Sequence, residues 1–163
     1  MNTVDLPAIQ YTVWPANLHS HRYQVKLHIA NPSPEGQVLQ MPAWIPGSYL
    51  IRDFSKQIES IEAYSVGSKK KLSLERLNND QWRLSKVSGP VEVLTTIYAY
   101  DSSVRAAYLD TERAFFNASS LCLEVKGQEN LACSLAIAPP EGGFTDHWSV
   151  QTSLRAAKID SRG

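Results

Sequence analysis

The ten residues HRYQVKLHIA, His21 to Ala30, decide the fold that the sequence predicts. Apolar side chains alternate here with polar ones: the first set is Tyr23, Val25, Leu27 and Ile29, and the second is Arg22, Gln24, Lys26 and His28. Successive side chains of a β-strand point to opposite faces of the sheet. A period of two therefore predicts a strand with one buried face.

The flanking sequence continues this pattern between frequent turn signals. NPSPEG (31–36) is typical of a turn and should lead into the next strand, 37–41. Residues 58–66 and 71–77 flank a Gly-Ser-Lys tip and predict a hairpin. Further strands are predicted at 81–86, 91–100, 119–126 and 131–138. The segment 91–100 is β-branched and apolar on both faces, which favours a central strand.

Eight or more short strands, with turns roughly every ten residues, predict an all-β fold: an antiparallel β-sandwich or an open barrel with little helix. Helical periodicity is weak, although 52–61 could form one turn and 153–160 a frayed terminal helix. A chain of 163 residues fits one domain. We assign residues 1–145 to the β-sandwich and residues 146–163 to the start of a linker or a frayed segment.

The composition excludes several classes of partner. The formal net charge is zero, so nothing favours a nucleic acid or an anionic membrane. The first residues have no basic region followed by an apolar stretch, and no run approaches the roughly eighteen apolar residues of a membrane span. Two cysteines make no disulfide framework, so Cys122 and Cys133 are interpreted as free thiols in a reducing cytoplasm.

The sequence contains no recognisable catalytic motif. It has no His-Glu-x-x-His, no paired-cysteine zinc spacing, no glycine-rich phosphate loop and no Gly-x-Ser-x-Gly. His19 and His21 would share one face of a strand and could form a metal pair, but no third ligand lies near them in sequence. From its own residues we therefore assign this chain no catalytic residue, no metal ligand and no cofactor.

The segment PAWIPGSYLIRDF (42–54) contains more than a turn requires. Ile45-Pro46-Gly47-Ser48 suits a type II turn, since proline presets φ at the second position and glycine supplies a positive φ at the third. The turn leaves four residues unexplained: Trp44, Tyr49, Arg52 and Asp53. Two interpretations stay open. The aromatic pair plugs one end of the sandwich, with the charged pair at its surface, or the segment forms a working surface.

A second unusual segment, YAYDSSVRAAYLDTERAFFNASS (98–120), leaves the strong strand at 91–100. Its charged residues are Asp101, Arg105, Asp110 and Arg113, and it ends in Phe115, Phe116 and Asn117. A long connection of this kind inside a compact β-domain is usually functional or docked onto another surface.

Together these segments resemble the N-terminal domain of the glycyl aminopeptidase family of zinc metallopeptidases (peptidase family sixty-one). The pattern Pro-x-Trp-x-Pro-Gly-Ser-Tyr-x-x-Arg-x-Phe is met by Pro42, Trp44, Pro46, Gly47, Ser48, Tyr49, Arg52 and Phe54. The patterns Asp-x-Ser-Val-Arg, Leu-Asp and Phe-Phe-Asn are met by Asp101, Ser103, Val104, Arg105, Leu109, Asp110, Phe115, Phe116 and Asn117. The order and spacing fit from about residue 9 to residue 144. Ala114 and Ala118 stand where the family usually has glycine.

The resemblance implies an enzyme of three parts: this β-rich domain, a thermolysin-like catalytic domain with His-Glu-x-x-His, and a PDZ-like domain. This sequence would then be an inactive fragment of a zinc aminopeptidase, with the catalytic domain of the same polypeptide as its partner and a peptide as the parent's substrate. The implied candidates for the substrate cleft or the interdomain face are Trp44, Tyr49, Arg52, Asp101, Arg105, Phe116 and Asn117.

Two other classes remain open at this point. One is a free-standing β-sandwich module that binds a peptide or a carbohydrate through an aromatic end. The other is a structural domain whose unusual segments only lock interdomain packing.

We also expect the segments 42–54 and 101–117 to meet at one end of the domain, because connections of a sandwich gather at its ends. Their arginines should pair with carboxylates across the two segments, since a lone desolvated charge is costly. An exposed aromatic patch is expected at Trp44, Tyr49, Phe115 and Phe116.

Overall fold

Short strands and turns make up most of the structure, a computed structural model that describes residues 6–140, 142–143 and 148–156. The strands are β1 (Ile9–Asn17), β2 (Arg22–Ile29), β3 (Val38–Gln40), β4 (Ile58–Ser65), β5 (Lys71–Leu72), β6 (Leu74–Arg76), β7 (Gln81–Leu84), β8 (Val91–Tyr98), β9 (Ala107–Leu109), β10 (Ala114–Phe116), β11 (Glu124–Val125) and β12 (Cys133–Ile137). One 3-10 turn spans Phe54–Gln57, and one short helix, α1, spans Ala118–Leu121. The prediction of an all-β fold with little helix is confirmed.

The larger sheet has six strands in the order β12-β1-β2-β8-β4-β5. All its neighbours are antiparallel except β1 and β12, which run parallel. The alternation that predicted β2 is realised: Tyr23, Val25, Leu27 and Ile29 are buried, while the residues between them are half-buried.

Strand β8 lies between β2 and β4, which confirms the predicted central strand. Its inward face is fully covered by the core, and its buried residues are Val91, Val93, Thr95 and Ile97. The opposite face is only half-covered at Leu94 and Thr96. Its central place therefore comes from strand pairing on both edges and from one buried face.

A second sheet of four strands, in the order β11-β3-β7-β6, supplies the other layer. Buried side chains from both sheets join one hydrophobic cluster; those of the second layer include Leu39, Trp82, Leu84 and Val125. The predicted hairpin forms where β4 meets β5, with Ala63 opposite Leu72. The chain then crosses at Ser73 into β6, which pairs with β7. The two layers make an open sandwich.

Gln37 is buried where the 31–36 turn enters β3, and both the nitrogen and the oxygen of its side-chain amide form hydrogen bonds. The Nε2 group donates to the carbonyl oxygens of Val38 and Lys126, both at 2.9 Å. The Oε1 atom accepts from Ser33 N at 3.0 Å and from Gln128 Nε2 at 3.2 Å. Buried polar groups are normally hydrogen-bonded, and these four bonds satisfy the side-chain amide of Gln37. They also link the 31–36 turn to the residues that follow β11.

The helical predictions have different outcomes. The single turn expected within 52–61 is the 3-10 turn at Phe54–Gln57. The terminal helix expected at 153–160 is not seen in residues 153–156, and residues 157–160 lie outside the described part. Trp148 packs against the core. The division of the chain at residue 145 stays a prediction.

Gly36 is required by both its conformation and its surroundings, and this gives a test of the fold. Its φ is +121°, and a Cβ atom there would lie 2.6 Å from the carbonyl oxygen of Leu84. Gly47 has φ +81° but open space around its Cβ position. We expect Gly36→Ala to lower the free energy of unfolding by at least about 2 kcal/mol, and Gly47→Ala by about 1 kcal/mol. Urea denaturation measures both, and equal losses would contradict the close contact with Leu84.

Candidate functional site

The turn in the first unusual segment forms as predicted. Ser48 N donates to the carbonyl oxygen of Ile45 at 3.1 Å, and Gly47 has the positive φ that the third position of a type II turn requires. The indole Nε1 of Trp44 donates to the carbonyl oxygen of Ser48 at 2.8 Å. Arg52 N donates to the carbonyl oxygen of Ala43 at 2.5 Å and closes the loop at its base. Local hydrogen bonds therefore hold this loop in one shape.

Residues 44–51, which we call the apolar loop, present large apolar side chains to solvent. Trp44 is 56% exposed, Leu50 65% and Ile51 83%, and Tyr49 is fully exposed. The interpretation of Trp44 and Tyr49 as a plug in the end of the sandwich is therefore wrong. Adjacent exposed apolar residues on a shaped loop are typical of a surface that another protein surface covers.

The second unusual segment folds as a small hairpin of β9 and β10. Asp110 organises its turn by accepting hydrogen bonds from the Tyr108 hydroxyl at 2.7 Å and from the backbone N–H groups of Glu112 and Arg113 at 2.8 Å. These hydrogen bonds, with the Tyr108 hydroxyl first in importance, lower the pKa of Asp110 from its ordinary value. The carboxylate is therefore a structural part of the turn.

An aromatic stack fixes this hairpin to the rest of the domain; its members are His21, Tyr100, Tyr108 and Arg113. The ring of Tyr100 lies 4.0 Å from that of His21 and 5.3 Å from that of Tyr108. The Cζ atom of Arg113 lies 4.7 Å from the centre of the Tyr108 ring. These contacts stabilise the connection, while Tyr100 stays 54% exposed and lines the cleft described below.

The predicted pairing of His19 with His21 on one strand face is wrong. Both residues lie in the turn between β1 and β2. His19 is exposed, whereas His21 adopts a left-handed φ of 59° and places its Nδ1 2.5 Å from the carbonyl oxygen of Leu109. In the described ranges, no three His, Cys, Asp or Glu side chains gather as metal ligands.

The two unusual segments meet, as predicted, at one cleft of about 470 Å³. Arg52, Asp53 and Phe54 line it from the first segment, and Asp101 and Ser102 line it from the second. The 3-10 turn that follows Asp53 adds further polar groups, Lys56 and Gln57. Apolar and aromatic side chains complete the lining, among them Ile97, Tyr98 and Tyr100, so the cleft is mixed in character and is bounded by both segments.

The predicted ion pairs across the two segments are not found among the described residues. Each candidate carboxylate is used within its own segment instead: Asp53 accepts from the Ser55 hydroxyl at 2.8 Å, and Asp101 accepts from Ser103 N at 2.9 Å. Arg105 is exposed to water. Arg52 is half-buried, and its Nε has no hydrogen-bond partner.

The remaining candidates lie close to this end of the domain. Phe115 is exposed, whereas Phe116 is half-buried and meets Tyr23 edge to face at 5.6 Å. Phe116 therefore belongs to the core edge rather than to the expected aromatic patch. Asn117 donates from Nδ2 to the carbonyl oxygen of Val104 at 2.8 Å and so braces its own segment.

Ala114 and Ala118, which stand where glycines were expected, require no left-handed backbone. Among the described residues other than glycine, positive φ occurs only at His21 and Lys69. Ala114 begins β10 and Ala118 begins α1.

Leu50, Ile51 and the aromatic stack were not predicted from the sequence. For Leu50 and Ile51 a signal was present, because two large apolar residues follow a turn without an alternating strand pattern. The stack gave no such signal, because His21 is far in sequence from Tyr100 and Tyr108.

Both cysteines are free thiols. Cys133 is exposed, and Cys122 is half-buried. Burial, with a smaller contribution from Cys133, raises the pKa of Cys122 to about 12. Its thiol is therefore neutral near pH 7 and is no nucleophile, since the thiolate is the reactive form.

One family model and one solved structure are similar to this chain. The family model for the peptidase M61 N-terminal domain matches residues 10–162. A crystal structure of the aminopeptidase N family protein from Idiomarina loihiensis is similar, with 45% sequence identity and a TM-score of 0.77. The match covers 81% of this chain and 22% of that chain. The comparison with curated proteins found no match.

None of the helices in residues 6–140, 142–143 and 148–156 has the length and apolar character needed to span a lipid bilayer.

The lowered pKa of Asp110 gives a test of the hairpin turn. A carboxylate with a depressed folded-state pKa stabilises the fold above its unfolded-state pKa, near about 3.9, and this contribution is lost as pH falls through the folded-state pKa. Asp110→Asn should therefore lower the thermal unfolding temperature at pH 7. The difference from the native protein should shrink at pH 3. An equal difference at both pH values would contradict the role of the charge.

Proposed function

The chain belongs to the peptidase M61 N-terminal domain family, and we propose that it is the non-catalytic N-terminal domain of a zinc metalloaminopeptidase. In this proposal it packs against the catalytic domain of the same polypeptide and helps to wall the peptide substrate cleft. The aminopeptidase name of the similar crystal structure supports the activity, and the 22% coverage of that chain leaves room for further domains.

The observation that carries the packing role is the exposure of the apolar loop. Tyr49, Leu50 and Ile51 are consecutive, and all three side chains lie in water. Burying a leucine or an isoleucine contributes about 1.5–3 kcal/mol each. A loop shaped by its own hydrogen bonds, with this much apolar surface outside, is suited to a permanent partner surface.

The zinc of the proposed enzyme does not fit the described residues of this chain, because they offer no cluster of metal ligands. Zinc would activate a water molecule for peptide hydrolysis in such an enzyme. We therefore assign the zinc ligands and the catalytic glutamate to the catalytic domain, and we route no step of the reaction through this chain.

The role of this chain toward the substrate is positional. The apolar loop with Trp44 and Tyr49 would meet the catalytic domain, and the neighbouring cleft with Arg52 and Asp101 would face the peptide. Free thiols at Cys122 and Cys133 are consistent with the proposed cytoplasmic location.

A free-standing module that binds carbohydrate is less well supported. Sugar-binding surfaces present open aromatic faces, whereas Tyr100 and Tyr108 stack on groups of their own chain. The most exposed aromatic residues of the described part, Trp44 and Tyr49, lie on the apolar loop among aliphatic neighbours.

Limited proteolysis tests the packing role. Chymotrypsin cleaves after exposed aromatic residues and leucines, so this chain alone should be cut after Tyr49 or Leu50. In the longer polypeptide that includes the catalytic domain, we expect these two bonds to be protected, because a docked surface excludes the protease.

Leu131 supplies the internal control, since it is half-exposed in the connection between β11 and β12, away from the apolar loop in sequence. Cleavage after Leu131 should occur at a similar rate in both proteins. If Tyr49 is cut equally fast in both, the apolar loop is not the packing surface.

A further inference from the structure

Arg52 forms no ion pair in the described part of the chain. Its side chain is half-buried, and the Nε atom is shielded from solvent without a hydrogen-bond partner. An unpaired donor on a buried charged group costs free energy, and more than a neutral donor does. A ligand cannot reach the shielded Nε, so acceptor oxygens from the cleft would meet the terminal Nη groups of Arg52 instead.

The other arginines of the described ranges do not share this property. Two of them form ion pairs: Arg22 with Glu59 at 2.5 Å and Arg83 with Glu75 at 3.5 Å. Arg76 donates to the carbonyl oxygens of Asn78 and Asn79, and Arg113 lies over the ring of Tyr108. Arg105 and Arg155 are exposed to water. Arg52 alone combines partial burial with a shielded nitrogen that has no partner.

The acidic residues beside Arg52 each accept a hydrogen bond from a group of their own segment. Asp53 accepts from the Ser55 hydroxyl, and Asp101 accepts from the backbone of Ser103. Both carboxylates line the cleft with Arg52 and Lys56, so the charged groups of the lining balance. Any anion there would meet two cations and two carboxylates, and a singly charged peptide carboxylate would be repelled less than a dianionic phosphate. The hydrogen bonds above use only Oδ1 of Asp53 and of Asp101, so their Oδ2 atoms could accept from peptide N–H groups.

The cleft has a volume that is compatible with a small ligand. Its volume of about 470 Å³ lies within the range of about 300–1,000 Å³ that is typical of small-molecule sites. No residue of the apolar loop lines it, and further polar groups come from Gln57 and Ser102. The apolar loop and the cleft are therefore separate surfaces at one end of the domain.

We propose that this cleft binds the free C-terminal carboxylate of a short peptide. Arg52 holds the carboxylate through its forked N–H groups, which match the two oxygens. Lys56 supplies a second cation. This inference rests on the proposed function, because it names short peptides with a free C-terminus as the preferred substrates of the whole enzyme.

The test uses the full-length enzyme and two substrates, tri-alanine and its C-terminal amide. The native enzyme should prefer the free acid. Arg52→Gln should lower kcat/KM for tri-alanine by about tenfold, mainly through KM, and should change the value for the amide by less than about twofold. Arg52→Lys, which keeps the charge but loses the fork, should cause a smaller loss for the free acid and serves as the second variant if Arg52→Gln does not fold.

Arg83→Gln is the matched control, since it removes one positive charge from β7 in the second sheet, outside the cleft. It should leave the preference for the free acid unchanged. A native enzyme that hydrolyses both peptides equally well would overturn the inference and leave the proposed function standing. An equal loss for both substrates with Arg52→Gln would overturn it too, because Arg52 would then pair with the rest of the polypeptide. If the native enzyme hydrolyses neither these peptides nor any other tripeptide with a free N-terminus, the proposed function fails and the inference fails with it.

Discussion

The pairing of β2 with β8 along their whole length is the contact on which the candidate site depends. It runs from Arg22 opposite Tyr98 to Ile29 opposite Val91, so the start of β2 lies beside the end of β8. The backbone continues this contact outside the strands, where Ala99 N donates to the carbonyl oxygen of His21 at 2.8 Å. The aromatic stack of His21 and Tyr100 follows directly from this register.

The same sheet brings the other half of the cleft to this end. Strand β4 joins β8 with Ile58 opposite Ile97, so the 3-10 turn and Arg52 arrive beside the end of β8. The cleft therefore lies where one strand ends and another begins, on a framework of paired backbone. The charged cleft residues themselves lie on the connections that leave these strands, so the strands fix where the cleft forms.

Much of the larger sheet was predictable because its strands are long enough for a period of two to be visible. The alternation in β2 and the β-branched run in β8 identify both strands and the buried face. Sheet membership was not predictable. β3 follows β2 in sequence but pairs with β7 in the other layer. An alternating pattern predicts which face of a strand is buried, but it does not predict which strand is the neighbour. For the same reason, the local sequence pattern does not predict the parallel pairing of β1 with β12.

Within the site, local turn chemistry was predictable and long-range charge pairing was not. Pro46 and Gly47 were enough to place a type II turn. The acids expected to pair with arginines across the two segments are held instead by groups two or three residues away, as Asp101 is by Ser103 N. Such short-range hydrogen bonds close small loops and compete well with contacts between distant segments. Opposite charges in two segments that meet are therefore no guarantee of an ion pair.

The parallel contact between β1 and β12 also sets the direction in which the chain leaves the sheet. Ile9 lies opposite Cys133 and Val13 opposite Ile137, so β12 runs toward the same end as the turn that carries His21. The residues after Ile137 thus start at the end of the domain that holds the cleft and the stack. In the proposed enzyme, a partner surface on the same polypeptide would meet the apolar loop at a raised effective concentration. A contact that is weak between separate molecules gains occupancy in this way.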